Sequence, residues 1–109
     1  MIANQIDRLP PESEKEFLQM VIDLAHLNGW LCYHTFDSRR SAAGFPDLVA
    51  VRGETQEILF IEVKREKGRL SREQRMWLEA LSRALPGCAF VIRPSRWDQV
   101  EALLARETS

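Results

Sequence analysis

This sequence predicts an α/β fold: a mixed β-sheet flanked by helices, in the order α-β-β-β-α-β-α. Three observations point there. Two segments carry apolar residues at helical spacing behind Ser-x-x-Glu and Ser-x-x-Gln starts, Ser13 to Glu16 and Ser71 to Gln74. Two apolar runs, 44–51 and 58–64, flank the turn residues Gly53-Glu54-Thr55-Gln56 as a hairpin would. The second helical segment then separates that hairpin from a further short apolar run, 88–93. A helix, a three-strand meander and a crossover helix to one more strand give a mixed sheet with helices packed on it. The 109 residues suit a single domain, residues 1–109, with its core over about 12–105.

The first helix is expected over residues 13–28, closed by Gly29. Ser13 is its N-cap, and Phe17, Leu18, Val21, Leu24 and Ala25 form its buried stripe. Glu16 shares a polar face with Gln19 and Asp23. Glu14 precedes Phe17, Leu18 and Val21 by three, four and seven residues, so it extends the apolar stripe and needs a partner. Residues 30–36 read as a strand with Trp30, Cys32, His34 and Phe36 on one face, followed by a polar, basic loop over 37–44. The hairpin comes next, then a basic connector over 65–70 containing Gly68. The second helix is expected over 71–85, with Trp77, Leu78, Leu81, Ala84 and Leu85 as its stripe and Pro86-Gly87 as its stop. Gln74 is both the partner of Ser71 in a capping box and an inward-facing residue. Residues 88–93 form the last strand, and Pro94-Ser95 start a final helix containing Trp97, Val100, Leu103 and Leu104.

Composition narrows the function classes. No apolar stretch approaches the roughly 18–20 residues that span a bilayer. The N-terminus lacks the basic start and apolar run of a signal peptide, so a cytoplasmic location without membrane attachment is expected. Cys32 and Cys88 sit in apolar strand-like runs with no partner at metal-ligand spacing, which reads as two buried free thiols rather than a zinc site. The formal net charge of −1 does not announce a nucleic-acid binder. The distribution says more: Lys64, Arg65, Lys67, Arg69, Arg72 and Arg75 face only Glu66 and Glu73 over residues 64–75. Arg39 and Arg40 lie in the loop before Asp47. A run of this kind is a solvated face or a phosphate-binding surface.

The hairpin carries the chemistry. Folded symmetrically about Glu54-Thr55, it pairs Val51 with Ile58, Val49 with Phe60 and Asp47 with Glu62. Strand alternation then puts Ile58, Phe60, Glu62 and Lys64 on one face and Leu59, Ile61 and Val63 on the other. Like charges directly opposite each other destabilise a sheet, and a hard divalent cation held by both carboxylates relieves that. Glu54-Thr55 is a poor tight turn, and a longer loop using Gly53 slips the pairing and points Asp47 elsewhere. Under the plainer reading, Asp47 merely starts a strand after Pro46, and Glu62 and Lys64 form a surface ion pair.

Glu14, Pro46-Asp47, Glu62-Val63-Lys64 and Gln74 together resemble the PD-(D/E)XK nuclease superfamily. More narrowly, the chain is similar to the VRR-NUC nucleases, including compact stand-alone phage and bacterial members. The further pieces are Gly29-Trp30 with Tyr33-His34, Gly44-Phe45-Pro46-Asp47, Lys67-Gly68-Arg69-Leu70-Ser71 with Trp77-Leu78, and Arg93-Pro94-Ser95 with Trp97. Each piece is weak alone, whereas their order and spacing are specific. The resemblance implies a restriction-endonuclease-like core and Mg²⁺- or Mn²⁺-dependent DNA cleavage. It assigns metal binding to Asp47 and Glu62, support through the metal shell to the first-helix acid, catalytic assistance to Lys64 and site support to Gln74. Glu14 and Glu16 lie close enough for either to be that acid. Stand-alone members act on branched DNA, Holliday junctions among them, as homodimers; no small-molecule cofactor is implied.

The residues suit that chemistry. The Val63 carbonyl, between the two functional side chains, is a further metal ligand, and an all-oxygen set favours Mg²⁺ or Mn²⁺ over Zn²⁺. Lys64 either stabilises transition-state charge as an ammonium or acts as a base, and nearby carboxylates favour the first role. Gln74 is expected to hold Lys64 or the attacking water. Arg39, Arg40, Lys67, Arg69 and Arg72 are candidate phosphate contacts. His34 is another, or else a packed strand histidine. Exposed apolar residues on the terminal helix would permit a dimer. Two other readings remain: a non-catalytic nucleic-acid-binding subunit of this fold, and a restriction-type nuclease cutting plain duplex, which the short chain disfavours.

Overall fold

The computed structural model describes residues 13–35 and 42–105. Helix α1 (Glu14–Leu27) begins at Ser13, whose hydroxyl accepts from the Glu16 amide at 3.1 Å, and ends at Asn28 before Gly29 turns the chain at φ 84°. Strands β1 (Leu31–His34), β2 (Leu48–Arg52) and β3 (Glu57–Val63) form the antiparallel meander. Helix α2 (Arg72–Ala84) crosses over to β4 (Ala89–Ile92), which pairs parallel to β3. A 3-10 turn over Pro94–Arg96 leads into helix α3 (Trp97–Ala105). The sheet order is β1-β2-β3-β4, the mixed sheet with flanking helices that the sequence predicts.

The hairpin register is the symmetric one: Val51 pairs with Ile58 and Val49 with Phe60. The loop is nevertheless longer than a tight turn. Gly53–Thr55 make a 3-10 turn, and Gln56 rather than a glycine takes the positive φ of 59°. The longer loop does not slip the strands, because a one-residue slip would turn every inward side chain outward. Leu48, Ala50, Leu59, Ile61 and Val63 are all buried on one face. Arg52 reinforces the register. It ion-pairs with its ladder partner Glu57 at 2.9 Å, stacks 4.4 Å from the Trp30 ring and donates to the Asn28 carbonyl at 2.7 Å.

Two helices cover that face. Phe17, Val21 and Ala25 of α1 and Val100 and Leu104 of α3 join the strand residues and Trp30 in one core. Each fully buried apolar side chain of this kind stabilises the fold by about 1.5–3 kcal/mol. Trp30 Nε1 donates to the Leu104 carbonyl at 2.8 Å and ties the end of α3 to the strand it precedes. The opposite face meets α2 through Phe45, whose ring packs edge-on against Phe60 and Trp77 at 6.2 and 5.0 Å.

Several boundaries and burials differ from the sequence reading. The first strand is shorter than 30–36: Trp30 precedes it, and Phe36, Arg39 and Arg40 lie outside the described residues. Residues 44–47 approach β2 without being part of it. No residue of α2 is buried. Trp77, Leu78 and Leu81 are half-buried while Ala84 and Leu85 are exposed. Cys88 is buried as expected, but Cys32 is only half-buried; burial pushes both thiols above their ordinary value. On α3, Val100 and Leu104 are buried. Among the described residues, the exposed large apolar side chains are Leu27, Leu31, Tyr33, Val51, Met76 and Leu85, none of them on that helix. Among the described residues, no helix is long and apolar enough to cross a membrane.

Candidate active site

Asp47 stands one step beyond the last β2–β3 pair, Leu48 with Ile61, so the ladder delivers it opposite Glu62. Its Oδ2 accepts from the Val63 amide at 3.0 Å, fixing the carboxylate across the strand end. Glu62 is only 2% exposed, and its Oε2 accepts from Gln74 Nε2 at 2.8 Å. The other end of that amide is committed too: Gln74 Oε1 accepts from the Ser71 amide at 2.8 Å, and the Gln74 amide donates to the Ser71 hydroxyl. Gln74 therefore completes the capping box and orients a carboxylate at once. The sequence reading gave it Lys64 or a water to hold; the structure gives it Glu62. The amide oxygen is taken by the N-cap, so only the NH₂ end reaches the strand.

Gly44 makes that arrangement possible. It has φ 87°, and a Cβ placed there would lie 2.4 Å from the Glu73 carbonyl carbon and 2.7 Å from the Gln74 amide nitrogen. The loop bearing Pro46-Asp47 thus touches the first turn of α2 at a point where only glycine fits. In the sequence, the signal for this role is a glycine three residues before the acid.

Electrostatics knit the group together. Burial, then the Asp47 charge, push the Glu62 carboxyl up to about 8, with Glu14 adding in the same sense and Lys64 opposing. Burial likewise raises Asp47, against the Val63 amide bond that favours its ionised form. The two carboxyls lie close enough for the charge of Asp47 to raise the proton affinity of Glu62. Glu14 reaches the same end of the sheet from the opposite layer, where its Oε2 accepts from the Arg65 amide at 3.3 Å. Glu14 is half-buried while Glu16 is exposed, so Glu14 is the helix acid that geometry brings to the pair. Among the described residues, no three His, Cys, Asp or Glu side chains gather closely enough to ligate one ion. The two-carboxylate pair still suits Mg²⁺, which is held through one or two carboxylates and keeps several waters.

Two clefts open on either side of Glu14. One, about 600 Å³, is lined by Lys15, Leu18, Gln19, His34, Asp47 and Val63; the other, about 520 Å³, by Phe17, Lys64, Lys67, Gly68 and Pro94. His34 is half-buried on the wall of the first. Arg65 and Lys67 on the wall of the second are exposed, as are Arg69 and Arg72. The sequence reading missed Arg52 with Glu57, although the symmetric register already paired them. It also gave no role to Arg93, whose hydrogen-bond partners are 25 to 28 residues away in sequence and leave no local signal.

Comparison with curated proteins gives no match. Among solved structures, the Holliday junction resolvase Hjc of Archaeoglobus fulgidus is similar at 26% identity with a TM-score of 0.47. That match covers 73% of this chain and 63% of the resolvase, so the chain spans less than two thirds of its length. Residues 4–97 match the family model of the VRR-NUC domain. With residues 4–97 of its 109 matched, the chain belongs to the VRR-NUC domain family.

Proposed function

We propose that this nuclease hydrolyses phosphodiester bonds of branched DNA, four-way junctions included, as a homodimer that depends on Mg²⁺ or Mn²⁺. The observation that carries the catalytic reading is the pairing of half-buried Asp47 with buried Glu62. Two carboxyls are held together and oriented by Val63 and Gln74, and the raised proton affinity of the pair marks an electrostatic cost that a cation would offset. Asp47 and Glu62 would hold the ion with the Val63 carbonyl, while Glu14 acts through its water shell. A bound divalent cation supplies Lewis acidity toward the phosphate and lowers the pKa of water. Lys64, close enough to oppose the proton affinity of both acids, places an ammonium where negative charge grows on the phosphoryl oxygens. Gln74 holds Glu62 and so fixes the pair. Lys67, Arg69 and Arg72, with His34 and the loop residues Arg39 and Arg40, contact phosphates, which positions DNA without reading its sequence.

Cleavage of labelled four-way junction, flap, nicked, single-stranded and plain duplex DNA, with Mg²⁺, Mn²⁺ or EDTA, tests this. Branched substrates should be cut fastest, and EDTA should stop cutting. Asp47→Ala, Glu62→Ala and Lys64→Ala should each lower the rate at least about 100-fold while leaving DNA binding intact. Continued cutting by both carboxylate variants would sink the mechanism. Equal cutting of plain duplex would favour a restriction-type nuclease, and tight binding without turnover a non-catalytic subunit.

A further inference from the structure

Arg93, immediately after β4, grips the turn that carries Lys64. Its Nη1 donates to three carbonyls of that turn: Arg65 at 2.6 Å, Gly68 at 2.8 Å and Glu66 at 3.3 Å. A second link fastens the same turn, because the Ser95 amide donates to the Glu66 carboxylate at 2.6 Å. On its inner side the turn meets the active site. The Lys64 amide donates to the Ile92 carbonyl at 3.0 Å, and a Cβ added at Gly68 would stand 3.4 Å from Lys64 Cδ. Arg65, Lys67 and Arg69 are exposed like charges that would spread an unfastened turn. A planar guanidinium with its fan of donors can satisfy several carbonyls at once, which a compact ammonium does less well.

We propose that Arg93 is a positioning residue for cleavage: by clamping residues 65–68 it sets the direction from which Lys64 meets the Asp47–Glu62 pair. This rests on the nuclease reading above. Displacement of a catalytic group by about 1 Å costs about 100-fold in rate, so the clamp should show in turnover rather than in DNA affinity.

The test is single-turnover cleavage of the fastest-cut DNA of the panel by wild type, Arg93→Ala, Arg93→Lys, Lys64→Ala and the Arg93→Ala/Lys64→Ala double variant. Arg93→Ala should slow cleavage about 10- to 100-fold while half-saturation changes less than about threefold, and Arg93→Lys should recover part of the rate. In the Lys64→Ala background the same change should cost no more than about twofold, since the group it positions is gone. Wild-type speed in Arg93→Ala, or fully additive losses in the double variant, overturns the inference. Should Arg93→Ala fail to fold, Arg93→Lys, which keeps the charge but loses the fan of donors, serves in the same cycle. It should be slow alone and nearly neutral beside Lys64→Ala; additive losses there overturn the inference as well. A wild-type chain that cuts no DNA in the panel overturns both this inference and the nuclease reading, whereas wild-type cutting matched by Arg93→Ala removes this inference alone.

Discussion

Glu62 is where sequence, burial and chemistry meet in one side chain. Strand alternation sends it to the same face as Phe60, the fold buries it, and Asp47 faces it, so its proton is held up to about pH 8 against an ordinary value of 4.5. A carboxyl whose folded-state pKa lies above its unfolded value adds stability that is fully present below about 4.5 and is lost as pH rises through about 8. Asp47 acts in the same direction. In EDTA, the unfolding free energy should therefore fall between about pH 5 and pH 8 by at most about 1.4 kcal/mol per pH unit per proton, and the melting temperature should fall with it. Glu62→Gln should flatten that fall, and Mg²⁺ should raise the melting temperature more at pH 8.5 than at pH 5.5. A melting curve indifferent to pH, or an unchanged slope in Glu62→Gln, would remove the buried pair as the source. Glu62 and Lys64 were legible on one face from strand alternation, and Asp47 joined them only under the symmetric register, which the structure shows. The partner of Gln74 was not, because a side-chain amide chooses between neighbours that only the assembled layers bring near.

Among the elements, the hairpin and the connector after it divide structure from function. The hairpin keeps its register through face alternation and through the Arg52–Glu57 pair, whose side chains are 10% and 14% exposed. Breaking a buried pair by removing one partner costs about 3–5 kcal/mol. The connector, in contrast, presents Arg65, Lys67 and Arg69 to solvent, and Arg72 follows at the start of α2. If these residues hold phosphates, Arg69→Ala or Arg72→Ala should weaken binding to duplex DNA. Each should also reduce the slope of log K against log salt by about 0.9 for every phosphate no longer neutralised. An unchanged slope would place the DNA path elsewhere. Helix α2 shows the limit of reading periodicity as burial. Its apolar stripe is real, but Ala84 and Leu85 at its C-terminal end are exposed.

At the scale of the molecule, the site is a seam. Glu62, Lys64 and Gln74 belong to the face covered by α2, and Glu14 comes from the helix that covers the other face; they meet where the strands end. A four-way junction offers two cuts related by symmetry, and an isologous dimer offers two matching sites. Sedimentation or light scattering should accordingly give a mass twice the chain's 12.6 kDa, and a monomer that cuts junctions symmetrically would remove that part of the proposal. The exposed Leu27, Leu31, Tyr33 and Met76 show that apolar surface is left over once the core is filled.

By itself the sequence determined the element order, the mixed sheet and the shared strand face of Glu62 and Lys64. All of these follow from local periodicity, caps and strand alternation, which act over a few residues. Tertiary structure alone decided that Glu14 rather than Glu16 reaches the pair, that Gln74 holds Glu62, that Gly44 admits α2 and that Arg93 fastens the turn beside Lys64. Each of these joins segments distant along the chain or layers packed against each other. Such meetings are set by how the layers pack and not by the spacing of residues within one of them.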